Sequence, residues 1–325
     1  MKILITGANG MIGQHLAKRL LKDGHEVTAF IWKSSSLGAL KDLQGLDFAY
    51  GDVRDLNSLK EAIKGKEIVF HLAGVVHLPY KEEQTYFDVN VTGTENVLKA
   101  CAENASLKKL VHCSSASCYA PSEDEITEDY PCNSKYPYGK SKLEAELKIK
   151  EFVKEHPLPH VIVRPARVYG SGDMTLLPLF RMVKNGTYFH VGKMDSNMMP
   201  IHADDMAEAF VRCMGAKDGD IYNIAGPEVV TTKQFMEAVA KIENKKLTSI
   251  SIPIPIVKLA AIITENIFGL IKKDPPLSIK KLKFFTVSEK YSTRKAETGL
   301  GFVPTIKIEK GLEELYKWYA DNSLL

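Results

Sequence analysis

Two side chains in the middle of the chain have the types and the spacing needed for proton transfer. Tyr138 and Lys142 lie four residues apart in a segment with a strong helical pattern, so they are predicted to share one face of a helix. An ammonium group beside a phenol favours the phenolate, and it is expected to pull the phenol pKa from about 10 toward neutrality. Such a phenol can give a proton to, or take one from, an oxygen atom of a bound substrate.

A glycine-rich segment near the N-terminus has the spacing of a phosphate-binding turn. Gly7, Gly10 and Gly13 follow the strand-like run Ile3–Ile5 and open the helix-like stretch Met11–Lys22. In this pattern the first glycine permits a tight turn, the second lets the backbone approach a pyrophosphate, and the third lets the helix pack against the strand. The free N–H groups and the dipole of a helix N-terminus favour phosphate. The segment therefore predicts a dinucleotide site, and its other predicted contacts are Asn9, Met11 and Ile12.

The residues after the second predicted strand bear on which dinucleotide is bound. An NAD site usually carries an acidic residue about 20 positions past the glycines, where it binds the ribose 2′-hydroxyl. Here the run Val27–Ile31 is followed by Trp32, Lys33 and three serines, with no Asp or Glu. A cation and hydroxyls suit a 2′-phosphate, because charge-assisted hydrogen bonds are strong. We therefore predict NADP, with NAD as the alternative if Lys33 is an ordinary solvated lysine.

The elements that must position these residues alternate along the first 165 positions. Alternation of strand and helix is typical of a parallel, doubly wound sheet with helices on both faces. Ligands of such sheets bind at the carboxyl ends of the strands, and Ser115 follows the fifth predicted strand there, where its hydroxyl can reach the same substrate oxygen as Tyr138. The predicted strands are Ile3–Ile5, Val27–Ile31, Phe48–Tyr50, Ile68–Leu72, Leu110–Cys113 and Val161–Val163, and the predicted helices are Met11–Lys22, Leu56–Lys64, Thr85–Ala102 and Ser141–Lys154.

The alternation weakens after Arg164, which predicts two domains in an α/β chain. The first, residues 1–170 plus about 202–226, is expected to be a Rossmann domain with a doubly wound parallel sheet. The second, residues 171–201 plus 227–325, is expected to be a smaller, discontinuous C-terminal α/β domain that binds the substrate. A length of 325 residues agrees with more than one compact core.

Composition excludes several classes of protein. The 43 basic and 40 acidic residues are too balanced to predict a nucleic-acid binder. Five cysteines without a CxxC pair indicate free thiols in a reducing compartment, and the histidines lack metal-ligand spacing, so no metal is predicted. Neither a signal-peptide pattern nor a run of about 18 apolar residues is present, which predicts a cytoplasmic location.

Taken together, the motifs resemble those of the extended short-chain dehydrogenase/reductases, also called the NAD-dependent epimerase/dehydratase family. The likeness covers nearly the whole chain. It depends on the glycine turn, Gly51-Asp52-Val53, His71-Leu72-Ala73-Gly74, Asn90-Val91-x-Gly93-Thr94, Ser114-Ser115-Ala116-x-x-Tyr119, Tyr138-Gly139-Lys140-Ser141-Lys142, Arg164-Pro165-x-x-Val168-Tyr169-Gly170 and His202-x-Asp204-Asp205.

The resemblance implies roles for particular residues. Tyr138 and Lys142 match the family's Y-x-x-x-K motif and, with Ser115, would be catalytic as well as close to the cofactor. Asn90 would organise the centre of the site. The remaining implied cofactor contacts are Asp52 and Val53 at the adenine, Leu72, Ala73 and Gly74 at the middle of the cofactor, and Pro165 and Val168 near the nicotinamide.

Three alternatives accompany this assignment. Tyr136 and Lys140 also satisfy Y-x-x-x-K, and we prefer Tyr138 because Pro137 and Gly139 frame it as in the family. Ser114 is interpreted as a structural neighbour of Ser115. The segment from His202 to Asp205 is interpreted as a helix start with an Asp cap, in preference to a metal site or a proton relay. The resemblance also implies a homodimer through the helices Thr85–Ala102 and Ser141–Lys154.

The second half of the chain bears on the substrate. Sugar-nucleotide enzymes of the family commonly carry an Asn that holds a diphosphate where this chain has Arg167, and the Arg-Pro-x-x-Val-Tyr-Gly form resembles the dihydroflavonol-reductase-like and 3β-hydroxysteroid-dehydrogenase-like branch. The stretch 254–273 is unusually apolar. We favour an ordinary core helix there; the weaker alternative is an apolar lid over a hydrophobic substrate, in contact with a membrane surface.

Two functions follow as expectations. The first is an NAD(P)-dependent oxidoreductase that transfers hydride to or from a carbonyl or secondary alcohol on a hydrophobic small molecule, with Tyr138 as acid/base. The alternative is an NAD-dependent epimerase or dehydratase of nucleotide sugars, in which the hydride leaves and returns. A dinucleotide sensor without catalysis is disfavoured by the complete set of Ser115, Tyr138 and Lys142. Fold alone does not decide among these functions.

Overall fold

In the computed structural model, the alternating apolar runs of the first 165 residues and one later strand form a seven-stranded sheet. The structure describes residues 1–76, 83–247, 250–270, 275 and 277–325. The strands are β1 (Lys2–Thr6), β2 (Glu26–Ile31), β3 (Leu46–Tyr50), β4 (Ile68–His71), β5 (Lys109–Cys113), β6 (His160–Pro165), β7 (Val168–Tyr169), β8 (His190–Val191), β9 (Asn197–Met198), β10 (Ile201–His202), β11 (Ile221–Ile224), β12 (Val230–Thr231) and β13 (Ser251–Ile252).

The helices fill the intervals between these strands. They are α1 (Met11–Lys22), α2 (Leu56–Ile63), α3 (Glu83–Phe87), α4 (Gly93–Ala102), α5 (Pro137–Glu155), α6 (Leu177–Lys184), α7 (Ala203–Cys213), α8 (Thr232–Ile242), α9 (Ile254–Leu270), α10 (Ile279–Thr286), α11 (Arg294–Leu300) and α12 (Ile308–Asp321).

The large sheet has the order β11-β6-β5-β4-β1-β2-β3, and every neighbouring pair is parallel. The order reverses between β1 and β4, which is the switch point where doubly wound sheets bind dinucleotides. This arrangement confirms the predicted Rossmann-type α/β fold. Because the strands are covered on both faces, they read as nearly continuous apolar runs.

One predicted helix is divided in the structure. The expected helix Thr85–Ala102 consists of α3, a π-helical turn at Asp88–Thr92 and α4. The wider turn carries Asn90, whose side chain is buried. Insertions of this kind often occur at functional sites, because they turn one side chain out of the regular helical pattern.

A second hydrophobic cluster lies outside the large sheet. It joins α6, α8 and α12 through Phe180, Phe235 and Leu315, all fully buried. Three two-stranded pairs, β10-β7, β12-β9 and β13-β8, connect the segments around it. By contrast, α11 and the following Phe302 pack into the core of the large sheet.

Helix α9 differs from the favoured prediction of a core helix. Val257 and Ala261 face inward, whereas Ile256, Leu259 and Ile263 are 58%, 59% and 50% exposed. The core-helix interpretation is therefore wrong for the outer face of α9. Residues 271–273 of the predicted apolar stretch lie outside the described part of the chain. Within that part, no helix combines the length and the apolar character needed to cross a membrane.

Candidate active site

The glycine turn lies where β1 ends and α1 begins. Gly7 has a φ of +69°, and a Cβ there would lie 2.7 Å from the Cα atom of Ala73. At Gly13 a Cβ would lie 2.6 Å from the carbonyl oxygen of Ala8. Both distances are shorter than side chains tolerate, so this turn requires glycine at each position.

The N-terminus of α1 has the features of a phosphate site. Its N-cap is Gly10, no side chain caps it, and its first turn carries no acidic residue. Helices α2 and α8, in contrast, are capped by the side chains of Asp55 and Thr231. The first-turn N–H groups of α1, near Met11 and Ile12, therefore fit a dinucleotide pyrophosphate, which the helix dipole would also favour.

The loop after β2 lies beside this turn. The amide of Asn9 donates a hydrogen bond to the carbonyl oxygen of Ser36 at 3.2 Å, which ties the loop to the glycine segment. Trp32 is 59% exposed, and Lys33 is exposed as well. The structure thus brings the predicted cation to the same edge of the sheet as the predicted pyrophosphate position.

Asp52 and Val53 follow β3 at this edge. The carboxylate of Asp52 accepts hydrogen bonds from Arg54, at 2.6 Å for the closest pair, and this contact lowers the pKa of Asp52. Val53 is buried, and its carbonyl oxygen accepts from Asn96. The Asp52 carboxylate, a predicted adenine contact, is therefore paired with the Arg54 guanidinium in this structure.

Asn90 links the segment after β4 to α5. Its Oδ1 accepts from the backbone N–H of Val75 at 2.8 Å, and its Nδ2 donates to the hydroxyl of Ser141 at 2.9 Å. A Cβ at Gly74 would lie 3.0 Å from Oδ1 of Asn90. Leu72, Ala73 and Gly74 are thereby held between the glycine turn and the helix that carries Lys142.

Ser115, Tyr138 and Lys142 meet at the carboxyl end of β5. The hydroxyl of Ser115 hydrogen-bonds the phenol of Tyr138 and also accepts from the backbone N–H of Ser117 at 3.1 Å. Lys142 is 4% exposed, one turn after Tyr138 on α5. Tyr136 and Lys140, which share the same spacing, are both exposed. Tyr138 is half-buried and Lys142 buried, so the lower exposure of this pair distinguishes it from Tyr136 and Lys140.

The electrostatics of Tyr138 differ from the prediction. Burial raises the pKa of Tyr138 well above its usual value of about 10, although the hydrogen bond with Ser115 opposes the rise. Burial also lowers the pKa of Lys142. The expectation that Lys142 draws the phenol pKa toward neutrality is wrong for this structure, because burial has the largest influence on the pKa of Tyr138 and disfavours the phenolate.

A buried ion pair joins α5 to β6, and the sequence analysis did not identify one of its members, Glu146. Glu146 is fully buried and accepts two hydrogen bonds from Arg164 of β6, at 2.9 and 2.6 Å. Ser114 donates to the same carboxylate, in agreement with its interpretation as a structural neighbour. The signal for Glu146 was its position four residues after Lys142, on the face that carries Tyr138.

The segment after β6 contributes the remaining predicted residues. Pro165 is buried at the end of β6, and Val168, in β7, is half-buried. Arg167 lies between them, with its guanidinium 5.0 Å from the centre of the Phe284 ring. Arg167 therefore contacts α10, on the side of the chain predicted to hold the substrate.

The start of α7 corrects one predicted cap. The N-cap is His202, whose ring accepts from the N–H of Asp204 at 3.3 Å, and not an aspartate. Asp204 instead pairs with His15 of α1 at 2.5 Å, and Asp205 accepts from the N–H groups of Thr305 and Ile306. His202, Asp204 and Glu314 place oxygen and nitrogen atoms within 4.8 Å of one another, with both carboxylates exposed.

A doubly wound parallel sheet with a glycine turn opening its first helix defines the class of dinucleotide-dependent Rossmann enzymes. Within that class, the chain belongs to the NAD dependent epimerase/dehydratase family, whose model matches residues 3–225. It is therefore an enzyme of that family.

Relatives in this family act in two ways. The chain is 27% identical to 2-alkyl-3-oxoalkanoate reductase of Stenotrophomonas maltophilia, covering 97% of this chain and 98% of that protein. It is 31% identical to UDP-glucose 4-epimerase of Mycolicibacterium smegmatis, covering 74% and 82% respectively. A solved structure of UDP-glucuronic acid 4-epimerase from Bacillus cereus in complex with NAD has a TM-score of 0.79 and 24% identity, over 99% of both chains, which supports the fold.

Proposed function

We propose that this enzyme is a net oxidoreductase that uses NADPH to reduce a carbonyl group on a hydrophobic small molecule, or oxidises the corresponding secondary alcohol. The observation that carries the proposal is the contact between Ser115 and Tyr138 beside the buried Lys142, at the carboxyl edge of the sheet and next to the glycine turn. This edge is where a cofactor and a substrate would meet.

Tyr138 is the proposed acid/base. With its pKa raised by burial, the phenol stays protonated near neutral pH and can donate its proton to the oxygen of a carbonyl as that oxygen gains charge. Ser115 positions the phenol before the substrate binds, and its single O–H would then turn to donate to the same carbonyl oxygen. Lys142 adds positive charge close to that position. NADPH, when bound, supplies the hydride, while these side chains supply position and electrostatics.

The proposed preference for NADPH depends on the loop after β2. Lys33 is exposed, and the loop carries no acidic side chain that would repel a 2′-phosphate. The solved UDP-glucuronic acid 4-epimerase from Bacillus cereus is in complex with NAD, so NADH is the competing cofactor in every test.

The division of the chain supports the substrate assignment. We assign residues 1–170 and about 202–226 to cofactor binding, and residues 171–201 and 227–325 to substrate binding. The separate cluster of Phe180, Phe235 and Leu315 gives the second part its own core. Arg167 reaches toward this part, where an arginine can also bind a substrate phosphate. Phosphate binding by Arg167, together with the similarity to an epimerase, makes nucleotide-sugar epimerisation the second candidate function.

We also propose a cytoplasmic location. We further propose a homodimer whose interface is formed by α4 and α5. All five cysteines are free, as expected of a reducing compartment. Leu147 of α5 is 53% exposed and is available to a second copy. The molecular mass in solution at micromolar concentration tests the dimer, and a monomeric mass would reject it.

Contact with a membrane surface is proposed for α9. Every exposed isoleucine among the described residues lies between Ile250 and Ile267. The same segment exposes Leu259 and Lys258. The acidic residue of α9, Glu265, is half-buried and accepts from the backbone N–H of Ile279, so it does not oppose an anionic surface. An apolar face with lysine beside it fits the boundary of an anionic bilayer.

Vesicles of phosphatidylglycerol and phosphatidylcholine test this contact by co-sedimentation at low salt. We expect the wild type to bind, and a variant carrying Leu259→Glu and Ile263→Glu to remain in solution. Val303→Glu is the control, because Val303 is 61% exposed on another surface. Absence of wild-type binding would reject the contact, whereas binding by all three proteins would show that α9 is not responsible.

The main proposal is tested by identifying the dinucleotide that the purified enzyme releases on denaturation. Net reductases exchange their cofactor, so we expect an empty protein that binds NADPH more tightly than NADH and oxidises NADPH stoichiometrically with a hydrophobic ketone. Stoichiometric release of NAD would contradict this and favour the epimerase function. Equal binding of NADPH and NADH would reject the cofactor preference alone.

A further inference from the structure

Two cysteines lie close together beside the candidate active site. The sulfur atoms of Cys118 and Cys132 are 3.3 Å apart, and the residue after Cys118, Tyr119, forms an isolated antiparallel bridge with Cys132. Cys118 is fully buried, whereas Cys132 is partly exposed. The other three cysteines, all in described parts of the chain, are buried. Cys132 is thus the thiol that a small reagent reaches first.

The surroundings of Cys132 favour its thiolate. The hydrogen bond with Cys118 and the positive charge of Arg164 lower the pKa of Cys132 and outweigh the opposite effect of its burial. The same hydrogen bond, together with burial, raises the pKa of Cys118. A thiolate is the form that reacts with oxidants. The pair therefore consists of an accessible thiol with a lowered pKa and a neighbouring thiol that can resolve an oxidised product.

Both cysteines lie on segments that position the site. Cys118 ends the short 3₁₀ turn whose N-cap is Ser115. Cys132 lies two residues before Ser134, whose hydroxyl would be 2.1 Å from a Cβ at Gly139, the residue after Tyr138. The Cys118 segment thus adjoins Ser115 and the Cys132 segment adjoins Tyr138, so a backbone shift caused by bringing the two sulfurs together would reach both residues.

We propose that Cys118 and Cys132 form a reversible disulfide on exposure to hydrogen peroxide, and that this bond lowers turnover. The Cys132 thiolate attacks the peroxide, the O–O bond breaks, and sulfenic acid and hydroxide form. The Cys118 sulfur then attacks the Cys132 sulfur, an S–S bond replaces the S–O bond, and the Cys118 proton leaves in water. The cysteines lose two electrons, which the peroxide gains.

The bond must shorten the sulfur separation from 3.3 Å to about 2.05 Å. A displacement of about 1 Å in groups that position a reaction can lower its rate by about 10²-fold. We expect a loss of at least about 10-fold in turnover, restored by dithiothreitol, because Ser115 and Tyr138 move relative to each other. The reducing pool of the cell would reset the pair.

Disulfide formation is measured without any assay of activity, so it does not depend on the proposed function. The whole chain is treated with hydrogen peroxide, and intact mass and peptide mapping are recorded with and without reductant. We expect loss of two hydrogen atoms and a Cys118–Cys132 linked peptide. Cys132→Ser should form no link, and Cys118→Ser should leave a sulfenic acid at Cys132 that dimedone traps. Irreversible oxidation of Cys132 without the link, or no reaction, would overturn the proposal.

The effect on turnover rests on the proposed function and is measured separately. Wild type and Cys132→Ser should start with similar activity, and only the wild type should lose activity reversibly with peroxide. If the link forms and turnover stays constant, the regulatory part is wrong while the modification site remains. If no carbonyl substrate is found, NADPH affinity replaces turnover as the readout. A failure of the proposed function is then distinguishable from a failure of the proposed disulfide regulation.

Discussion

Helix α5 buries charged side chains, whereas helix α9 exposes aliphatic ones. On α5, Lys142 is 4% exposed and Glu146 is fully buried. On α9, Leu259 and Ile267 are 59% and 54% exposed. Both helices depart from the usual amphipathic arrangement, in which the apolar stripe faces the core and the polar face meets water. They do so in opposite directions.

The two departures differ in how the structure compensates for them. The charge of Glu146 is matched by two hydrogen bonds from Arg164 and one from Ser114, so its burial is offset by neighbouring strands. The exposed face of α9 has no comparable compensation among the described residues. Buried charges with hydrogen-bond partners, as on α5, indicate a functional site within the protein. Exposed aliphatic side chains without covering residues, as on α9, indicate a surface that binds another molecule or a membrane.

The largest expected effect is on the reaction itself. Tyr138→Phe removes the proposed proton donor and should lower kcat by about 10²- to 10⁴-fold, the usual contribution of general acid catalysis. NADPH affinity, measured by fluorescence titration, should stay close to that of the wild type. Tyr136→Phe is the matched control, and near-normal turnover of Tyr138→Phe would refute the assignment.

The buried pair behind α5 predicts the largest effect on stability. Glu146→Ala leaves Arg164 buried without its partner and should lower the free energy of unfolding by about 3–5 kcal/mol. Glu151→Ala, on the outer face of the same helix with a side chain 76% exposed, should change it by less than about 0.5 kcal/mol. Urea unfolding measures both variants. A loss below about 1 kcal/mol for Glu146→Ala would show that the pair does not anchor α5.

Buried histidines near α5 predict a pH dependence that α9 lacks. Burial lowers the pKa of His71 to about 3 and that of His112 well below its usual 6.5. The unfolded chain therefore binds more protons below about pH 6.5, so the stabilising contribution of each histidine is complete above that pH and falls as the pH is lowered, by at most ~1.4 kcal/mol per pH unit. For His71 this loss continues down to about pH 3. Urea unfolding at a series of pH values should show that the free energy of unfolding of His112→Leu depends less steeply on pH than that of the wild type. An unchanged slope would contradict the assignment.

The cofactor edge of the sheet predicts a smaller, selective effect. Lys33→Ala should weaken NADPH binding by about 10-fold and leave NADH binding nearly unchanged, because only NADPH carries the 2′-phosphate. Lys22→Ala, at the far end of α1, serves as the control in the same titration. Equal loss of both cofactors would assign Lys33 a general role, and no loss would leave it a solvated lysine.

The smallest effect is expected on the outer face of α9. Leu259→Gln and Ile263→Gln replace exposed side chains and should change the free energy of unfolding by less than about 0.5 kcal/mol each. Val257→Asp, on the inner face of the same helix, should cost several times more, because it buries a charge. A large loss in the two outer variants would show that this face is covered within the chain and would remove the contrast with α5.

Local patterns in the sequence determined much of this protein. The strands of the large sheet, the glycine turn and the placement of Ser115, Tyr138 and Lys142 all follow from short-range signals: apolar runs, residues four apart on a helix, and glycines between a strand and a helix. The sheet and the family were predicted correctly because these signals act over a few residues. The site roles stay predictions, to be tested by the variants above.

Only the tertiary structure decided the features that depend on distant segments. Asn90 lies on a π turn that divides a predicted helix, Glu146 meets Arg164 of another element, and Cys118 lies against Cys132. The raised pKa of Tyr138 and the exposed face of α9 likewise reflect burial, which a residue type does not specify. The physical reason is common to all five: desolvation and side-chain contact are set by which surfaces pack together, and the local sequence carries no record of its partners.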